Sequence, residues 1–425
     1  MSLQVNIKHG KNAFQLNLDP SVTVGALKAK IADHSSVPPN NQKLFGKSGQ
    51  LKDDKLSLSD VNITSGSTLT LIGQAIDQSQ LVVEKPLFIE DMALERPDVI
   101  QIPRRGLSNL QNTCYLNSVV QSLACVPHLS ETTPPSDLAR QLVSTLKSVQ
   151  GTGQAITPMS LVNRFRTVFP QFSERTEQGF YAQQDAEECL AAFLSLFNSC
   201  PPISSPLARL SENGSEPQSL TQQLFGIEIV KEFINVEAEE KSIQPSQFLT
   251  SIKISINPDL DYLEQGIQNS LSDSLTKHSD VLGRNAEFKV TSTISTLPPF
   301  LCINLVRFEW REDIQQRAKI LKKVTFPVNL DMAPMTTPSL KTKITSNRES
   351  NSNYGTYRLA AVIAHQGRSA MGGHYLAYVK LQDTPDQWIF CDDAKTTLIK
   401  EEKVLQLAGG GDAPTCYILM YQLVV

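Results

Sequence analysis

Hydrophobic and polar positions alternate from the start of the chain: Leu3, Val5 and Ile7, then, after a turn over His9 to Asn12, Phe14, Leu16 and Leu18. Period two with one apolar face predicts a hairpin. The spacing then becomes helical, with Val24, Leu27 and Ile31 on one face, Thr23 placed to cap the helix and Pro38-Pro39 to end it. An apolar pair at Leu44-Phe45, a glycine-rich turn at Gly46 to Gly49, a short Leu56 to Leu58 segment and a last strand at Ser67 to Ile72 complete a module over residues 1–73. Residues 74–103 lose this periodicity, carry mixed charge and contain Pro86, Pro97 and Pro103, which reads as a linker. Within it, Leu87 to Met92 is too apolar for a bare spacer and is expected to pack against a domain.

Residues 104–425 read as a second, larger domain in which helical and strand-like segments mix. Leu116, Val119, Val120 and Leu123 fall at helical spacing behind Cys114. A helix from Gln184 to about Phe197 gathers Ala186, Cys189, Leu190, Phe193, Leu194 and Phe197 on one face. Strand-rich runs follow at Leu224 to Val236, Phe248 to Ile256, Phe288 to Ile294 and Leu301 to Arg307, with a final apolar strand at Tyr417 to Leu423. The fold class expected is α+β.

Composition narrows the function classes without choosing among them. A formal net charge of −4 argues against a nucleic-acid binder, whose footprint is basic. The start, MSLQVNIKHG, has no long apolar run, so neither a secretory signal nor a membrane anchor is expected. Seven scattered cysteines with no C-x-x-C pair make disulfide staples unexpected and fit a reducing compartment.

The chemistry concentrates in Gly106 to Asn117, GLSNLQNTCYLN. Cys114 at the opening of a helix meets unpaired N–H groups and the positive end of the helix dipole, both of which favour a thiolate. Asn112 or Thr113 is placed to cap that helix, and Asn109 offers a side-chain amide to an oxyanion forming beside the sulfur. A buried structural cysteine is the competing reading. Far downstream, GGHY at Gly372 to Tyr375 leads into a strand, LAYVKL, and then WIFCDD, ending at Asp392 and Asp393. Two strands joined by a turn near Asp383 to Gln387 would set His374 beside Asp392, and a thiol needs such a base and such an orienting carboxylate. His365 in AHQG is a rival base. Gly372 and Gly373 would let the backbone approach a substrate closely, or serve a plain tight turn. Asp393 reads as a solvated neighbour or as a helper of the imidazole or oxyanion.

These residues resemble the ubiquitin-specific proteases, papain-like cysteine proteases that remove ubiquitin. The Cys box at 106–117, the His box around Ala361 to Val379, the QQDA-type helix start at Gln183 to Ala186 and the L-x-R-F strand at Leu305 to Phe308 stand in that family's order. The resemblance implies a papain-like domain with fingers, palm and thumb, and catalytic Cys114, His374, Asp392 and Asn109. It also implies that Gln184, Asp185, Gly372, Gly373 and Tyr375 bind substrate, Asp185 by pairing with a basic side chain of the ubiquitin tail; a plain helix N-cap is the other reading of Asp185. Many members hold the fingers with a four-cysteine zinc site; with no paired cysteines here, no metal and no cofactor are expected. The family usually has glycine where this chain has Gln111, so strain is expected there if the position needs positive φ.

The first 73 residues, in the order strand, strand, helix, strand, strand, resemble a ubiquitin-like β-grasp domain. It ends Leu71-Ile72-Gly73-Gln74 without a terminal diglycine, so conjugation is not expected. This head, the Leu87 to Met92 segment and a GGGD stretch at Gly409 to Asp412 together resemble the subgroup of the family that works on the proteasome. That resemblance implies docking on the proteasome regulatory particle, catalysis that is weak until docking, a cytoplasmic and nuclear location, no nucleic-acid or membrane partner, and a monomer when free. A non-catalytic ubiquitin-binding regulator of the proteasome, and a protease for another ubiquitin-like modifier, stand as alternatives.

Overall fold

The computed structural model describes residues 3–73 and 102–425, apart from 11, 20, 36, 48, 205–207, 215, 239, 314, 368–371, 383 and 411–412. The expected Leu87 to Met92 contact, most of the linker and part of the GGGD stretch lie outside the described residues. The chain divides into two compact units, residues 1–99 and 100–425.

In the first unit the alternation becomes a five-stranded sheet in the order Asn12–Leu18, Leu3–His9, Thr68–Ile72, Lys43–Gly46, Gly49–Gln50. Leu3–His9 pairs antiparallel with its hairpin partner and parallel with Thr68–Ile72, and a parallel pair requires a crossover. The helix Val24–Ser35 lies on that crossover. It buries Val24, Leu27 and Ile31 against Val5, Ile7, Leu16, Leu69 and Leu71. Thr23 caps it, its hydroxyl accepting from the Ala26 N–H at 3.3 Å. Each such apolar side chain contributes about 1.5–3 kcal/mol on burial.

The second unit has three parts, matching the expected thumb, palm and fingers. The helices Cys114–Leu123, Asp137–Val149, Met159–Val168 and Ala186–Ser195 share a core in which Phe165, Phe172 and Phe193 pack ring to ring at 4.6–4.7 Å. Against this core lies an eight-stranded sheet whose main path runs Lys395–Lys400, Gln387–Asp392, His374–Lys380, Thr356–Gln366, Thr415–Val424, Phe300–Val306, Ile252–Ser255. A second sheet, built on the long strand Arg284–Leu297, adds Ser272–Ser279, Ile227–Asn235 and Glu240–Leu249. No helix among the described residues is long and apolar enough to cross a membrane.

Several boundaries differ from the sequence expectation. The run from Leu224 begins inside a helix, Leu220–Phe225, because Ser219 caps it by accepting from the Gln222 N–H at 3.2 Å and Leu220, Leu224 and Phe225 bury together. The run Phe248 to Ile256 is two strands in two different sheets. The strand Leu301 to Arg307 stops at Val306, because the fully buried Arg307 turns inward and donates to the carbonyls of Cys416 (2.5 Å), Lys322 (2.9 Å), Ile320 (3.0 Å) and Ala408 (3.4 Å).

Candidate active site

Two consecutive left-handed residues, Gln111 at φ +62° and Asn112 at φ +57°, turn the chain into the helix Cys114–Leu123. Positive φ at Gln111 is the conformation that glycine adopts without strain, as the family comparison of that position anticipated. We therefore expect Gln111→Gly to raise stability by about 0.5–1 kcal/mol, the relief of left-handed strain less the extra entropy of glycine in the unfolded chain. A urea unfolding midpoint that stays put or falls would show that the glutamine is not strained.

Cys114 is the first residue of its helix and is 2% exposed. The expected side-chain cap is absent. Thr113 stands at the cap position, but its hydroxyl accepts from the Leu110 N–H at 2.8 Å, and the Asn112 amide donates to the Tyr181 carbonyl at 2.9 Å. Both side chains are spent on shaping the loop, which leaves the first-turn N–H groups to the site.

His374 opens one strand and Asp392 closes its antiparallel neighbour. The register that sets Ala377 opposite Cys391 places them on one face, diagonally across the pair. His374 Nε2 lies 2.6 Å from Asp392 Oδ1. With Nε2 so engaged, Nδ1 is the ring nitrogen left for the Cys114 thiol. A hydrogen bond to Cys114 is the largest of the influences that raise the pKa of His374 to about 9; burial opposes it, and Asp392 and the charges of Cys114 and Asp393 add to the rise. His365 is no rival. It is 1% exposed, burial and the nearby Lys319 ammonium push its pKa down to about 3, and its ring packs edge-on to Phe308 and Tyr375 at 5.1 and 4.9 Å.

Asp393 is not a solvated neighbour. Its Oδ1 accepts from the Asn117 amide and its Oδ2 from the Asn109 amide, each at 2.8 Å, while its carbonyl accepts from the Leu107 N–H at 2.8 Å. The residue sits at φ +48°, and Gly106 makes the approach possible, since a Cβ there would lie 2.2 Å from the Ala394 carbonyl oxygen. Asp393 thus ties the His–Asp hairpin to the Cys loop. Asn109 is correspondingly less free than expected: one N–H goes to Asp393, and its Oδ1 accepts from the Thr113 N–H at 3.1 Å. One amide N–H remains for an oxyanion.

The residues expected to bind substrate line, in part, a cavity of about 600 Å³ that includes Gln183, Gln184, Asp185, Phe308, Gly372, Gly373 and Tyr375. Asp185 does cap the helix Ala186–Ser195, accepting from the Glu187 N–H at 2.7 Å, and both its oxygens also accept from the Tyr417 hydroxyl at 2.8 and 2.7 Å. Tyr375 is buried beneath the cleft, 4% exposed, between His365 and Tyr417. The two glycines differ in their cause. A Cβ at Gly372 would meet nothing within 4 Å, whereas one at Gly373 would lie 2.3 Å from His365 Nε2 and 2.5 Å from the Gln366 carbonyl oxygen. Packing inside the protein, then, requires glycine at 373. Gln183, quoted in the sequence only as part of a motif, is the side chain that reaches the nucleophile: its Nε2 lies 3.8 Å from Cys114 Sγ and donates to the Gly373 carbonyl at 2.8 Å.

Comparison with known proteins agrees with this geometry. Residues 105–421 match the family described as Ubiquitin carboxyl-terminal hydrolase, and residues 5–75 match the Ubiquitin family. The chain is 32% identical to Ubiquitin carboxyl-terminal hydrolase 6 of Schizosaccharomyces pombe, with 99% of each chain covered. It is 31% identical to Ubiquitin carboxyl-terminal hydrolase 7 of Arabidopsis thaliana (99% of this chain, 98% of the relative) and 26% identical to Ubiquitin carboxyl-terminal hydrolase 14 of Caenorhabditis elegans (98% and 93%). The chain, matched along nearly its whole length, therefore belongs to the ubiquitin carboxyl-terminal hydrolase family, as a cysteine deubiquitinase with an N-terminal ubiquitin-like domain.

Proposed function

We propose that this deubiquitinase acts on ubiquitin conjugates held at the proteasome regulatory particle, that it docks there through residues 1–73, and that docking raises its activity. Supporting this reading is the union in one chain of a ubiquitin-like fold that ends without a diglycine and a catalytic unit, the two aligning together with the Schizosaccharomyces pombe relative over 99% of its length. A cytoplasmic and nuclear location goes with that partner.

In the proposed reaction the Cys114 thiolate attacks the carbonyl carbon of ubiquitin's terminal glycine. The oxyanion takes the Cys114 backbone N–H and the remaining N–H of Asn109. The His374 imidazolium, oriented by Asp392, protonates the leaving lysine amine as the C–N bond breaks, leaving a thioester. Water, deprotonated by His374, then displaces the thiolate and frees the ubiquitin carboxylate.

The test is a ubiquitin bearing a thiol-reactive C-terminus, offered to the protein alone and with proteasomes, beside a Cys114→Ala control. We expect an adduct on Cys114 that forms faster with proteasomes, and loss of proteasome co-sedimentation when residues 1–73 are deleted. Co-sedimentation of the truncated chain at the intact level would refute docking through this unit, and equal labelling with and without proteasomes would refute activation.

A further inference from the structure

Arg104 and Arg307 are both buried in the catalytic unit, and their surroundings differ. Arg307 donates to four backbone carbonyls. Arg104 is 8% exposed, yet its Nε and Nη1 meet no acceptor among the described residues; the guanidinium lies close enough to the Cys125 thiol to pull that thiol's pKa down against the rise that burial causes. A guanidinium keeps its charge in a protein, so burying one without an anion is costly, and an arriving anion relieves the cost. The same side chain lines a cavity of about 440 Å³ whose other walls are mainly apolar: Pro103, Ala124, Pro127, Leu359, Leu381 and Ile389. No carboxylate lines it among the described residues. Of its two further cations, Lys380 is engaged, with Glu401 at 3.1 Å and the Pro385 carbonyl at 2.6 Å, whereas Arg358 is exposed and has no ion pair among the described residues. The cavity shares no wall residue with the one beside Cys114. It lies behind the site: the Arg104 carbonyl accepts from the Thr396 hydroxyl at 3.1 Å, and Cys125 follows the Cys114–Leu123 helix.

We propose that this cavity is a second binding site, for a small organic anion that carries a carboxylate on an apolar body. The carboxylate pairs with the Arg104 guanidinium, whose planar fork matches it; the apolar body fills the space between the aliphatic walls; and Arg358 draws the anion in from solvent. The volume falls at the small end of the range for ligand pockets, about 300–1,000 Å³, which suits a short acyl chain or a single ring system. The inference goes beyond the deubiquitinase reading, and its test needs no turnover.

The probes are octanoate and octanamide, which differ only in the head group, offered to the full chain in equilibrium dialysis. We expect one octanoate bound per chain, with octanamide held at least roughly tenfold more weakly, the scale of a charge-assisted pair. Arg104→Met is expected to weaken octanoate at least roughly tenfold while the unfolding temperature stays level or rises, because an apolar side chain replaces an unpaired buried charge. Arg358→Glu, on an exposed side chain with no ion pair to lose, is expected to fold as wild type, to weaken octanoate by about three- to tenfold and to leave octanamide unchanged. No octanoate binding up to about 10 mM would overturn the proposal, as would equal affinity for the two probes. Octanoate binding that both variants keep at wild-type strength would overturn it too, since the probe would then sit elsewhere on the surface. A marked fall in unfolding temperature for Arg104→Met would show that the protein itself, through Cys125, already satisfies the guanidinium, and would overturn it as well.

Discussion

Replacing Cys114 with alanine is expected to do two things: end ubiquitin hydrolysis, and release the proton that the intact site holds on His374. Loss of a triad nucleophile lowers turnover on the order of 10⁵-fold or more. The second effect is specific to this geometry. Because the hydrogen bond to Cys114 is the largest contribution to the raised pKa of about 9, its removal is expected to bring His374 down towards the ordinary value of 6.5. The Asp392 contact at 2.6 Å still favours the imidazolium in the variant, while burial works against it. In the proposed reaction a protonated His374 hands its proton to the leaving amine, so acylation is expected to hold up to about pH 9 and to fall as pH rises through that value. NMR titration of the His374 ring in both proteins, beside a pH profile of acylation, checks this. A midpoint unmoved by Cys114→Ala would mean that the carboxylates, not the thiol, hold the proton.

Arg307→Met is expected to cost about 3–5 kcal/mol of the stability of the catalytic unit, among the largest losses for a single side chain. The guanidinium is fully buried and gathers carbonyls from three separate segments, at Cys416, at Ile320 and Lys322, and at Ala408. Methionine fills much of the volume but leaves those oxygens without donors. Arg307→Lys is expected to recover only a minor part, because one ammonium cannot span the fan that a planar guanidinium covers. Function should follow stability here. The next residue, Phe308, packs on His365 at 5.1 Å and Tyr417 at 5.3 Å and lines the cavity beside Asp185. Urea unfolding followed on the catalytic unit measures the loss. A change below about 1 kcal/mol would show that water can replace the guanidinium and that the carbonyl cluster is not what holds these segments.

Much of the architecture is legible in the sequence, because it rests on local physics. Alternation of Leu3, Val5 and Ile7 and of Phe14, Leu16 and Leu18 places a hairpin, and the face shared by Val24, Leu27 and Ile31 places the helix across it. Cys114 at a helix start, His374 at a strand start and the strand pair leading to Asp392 follow from periodicity and motif order. Even the strain at Gln111 was foreseeable, since it depends on one residue's backbone. Where local signals competed, reading failed: the run read as strand from Leu224 begins with the last two residues of the helix Leu220–Phe225, which the Ser219 cap starts, and the strand itself opens at Ile227.

What tertiary structure alone decided is which polar groups meet. Asn109 and Asn117 reach Asp393 across 284 and 276 residues, Tyr417 reaches Asp185 across 232, and Gln183 reaches the Gly373 carbonyl across 190. No propensity encodes such pairs. They exist because the register of the His374–Lys380 and Gln387–Asp392 strands and the seating of the Cys114–Leu123 helix against the sheet bring particular side chains within hydrogen-bond range. By itself the sequence determined the chemical types present and the elements that carry them. Long-range packing decided that Asp393 is a clamp, that Gly373 is glycine because of His365, and that Gln183 stands beside the thiol.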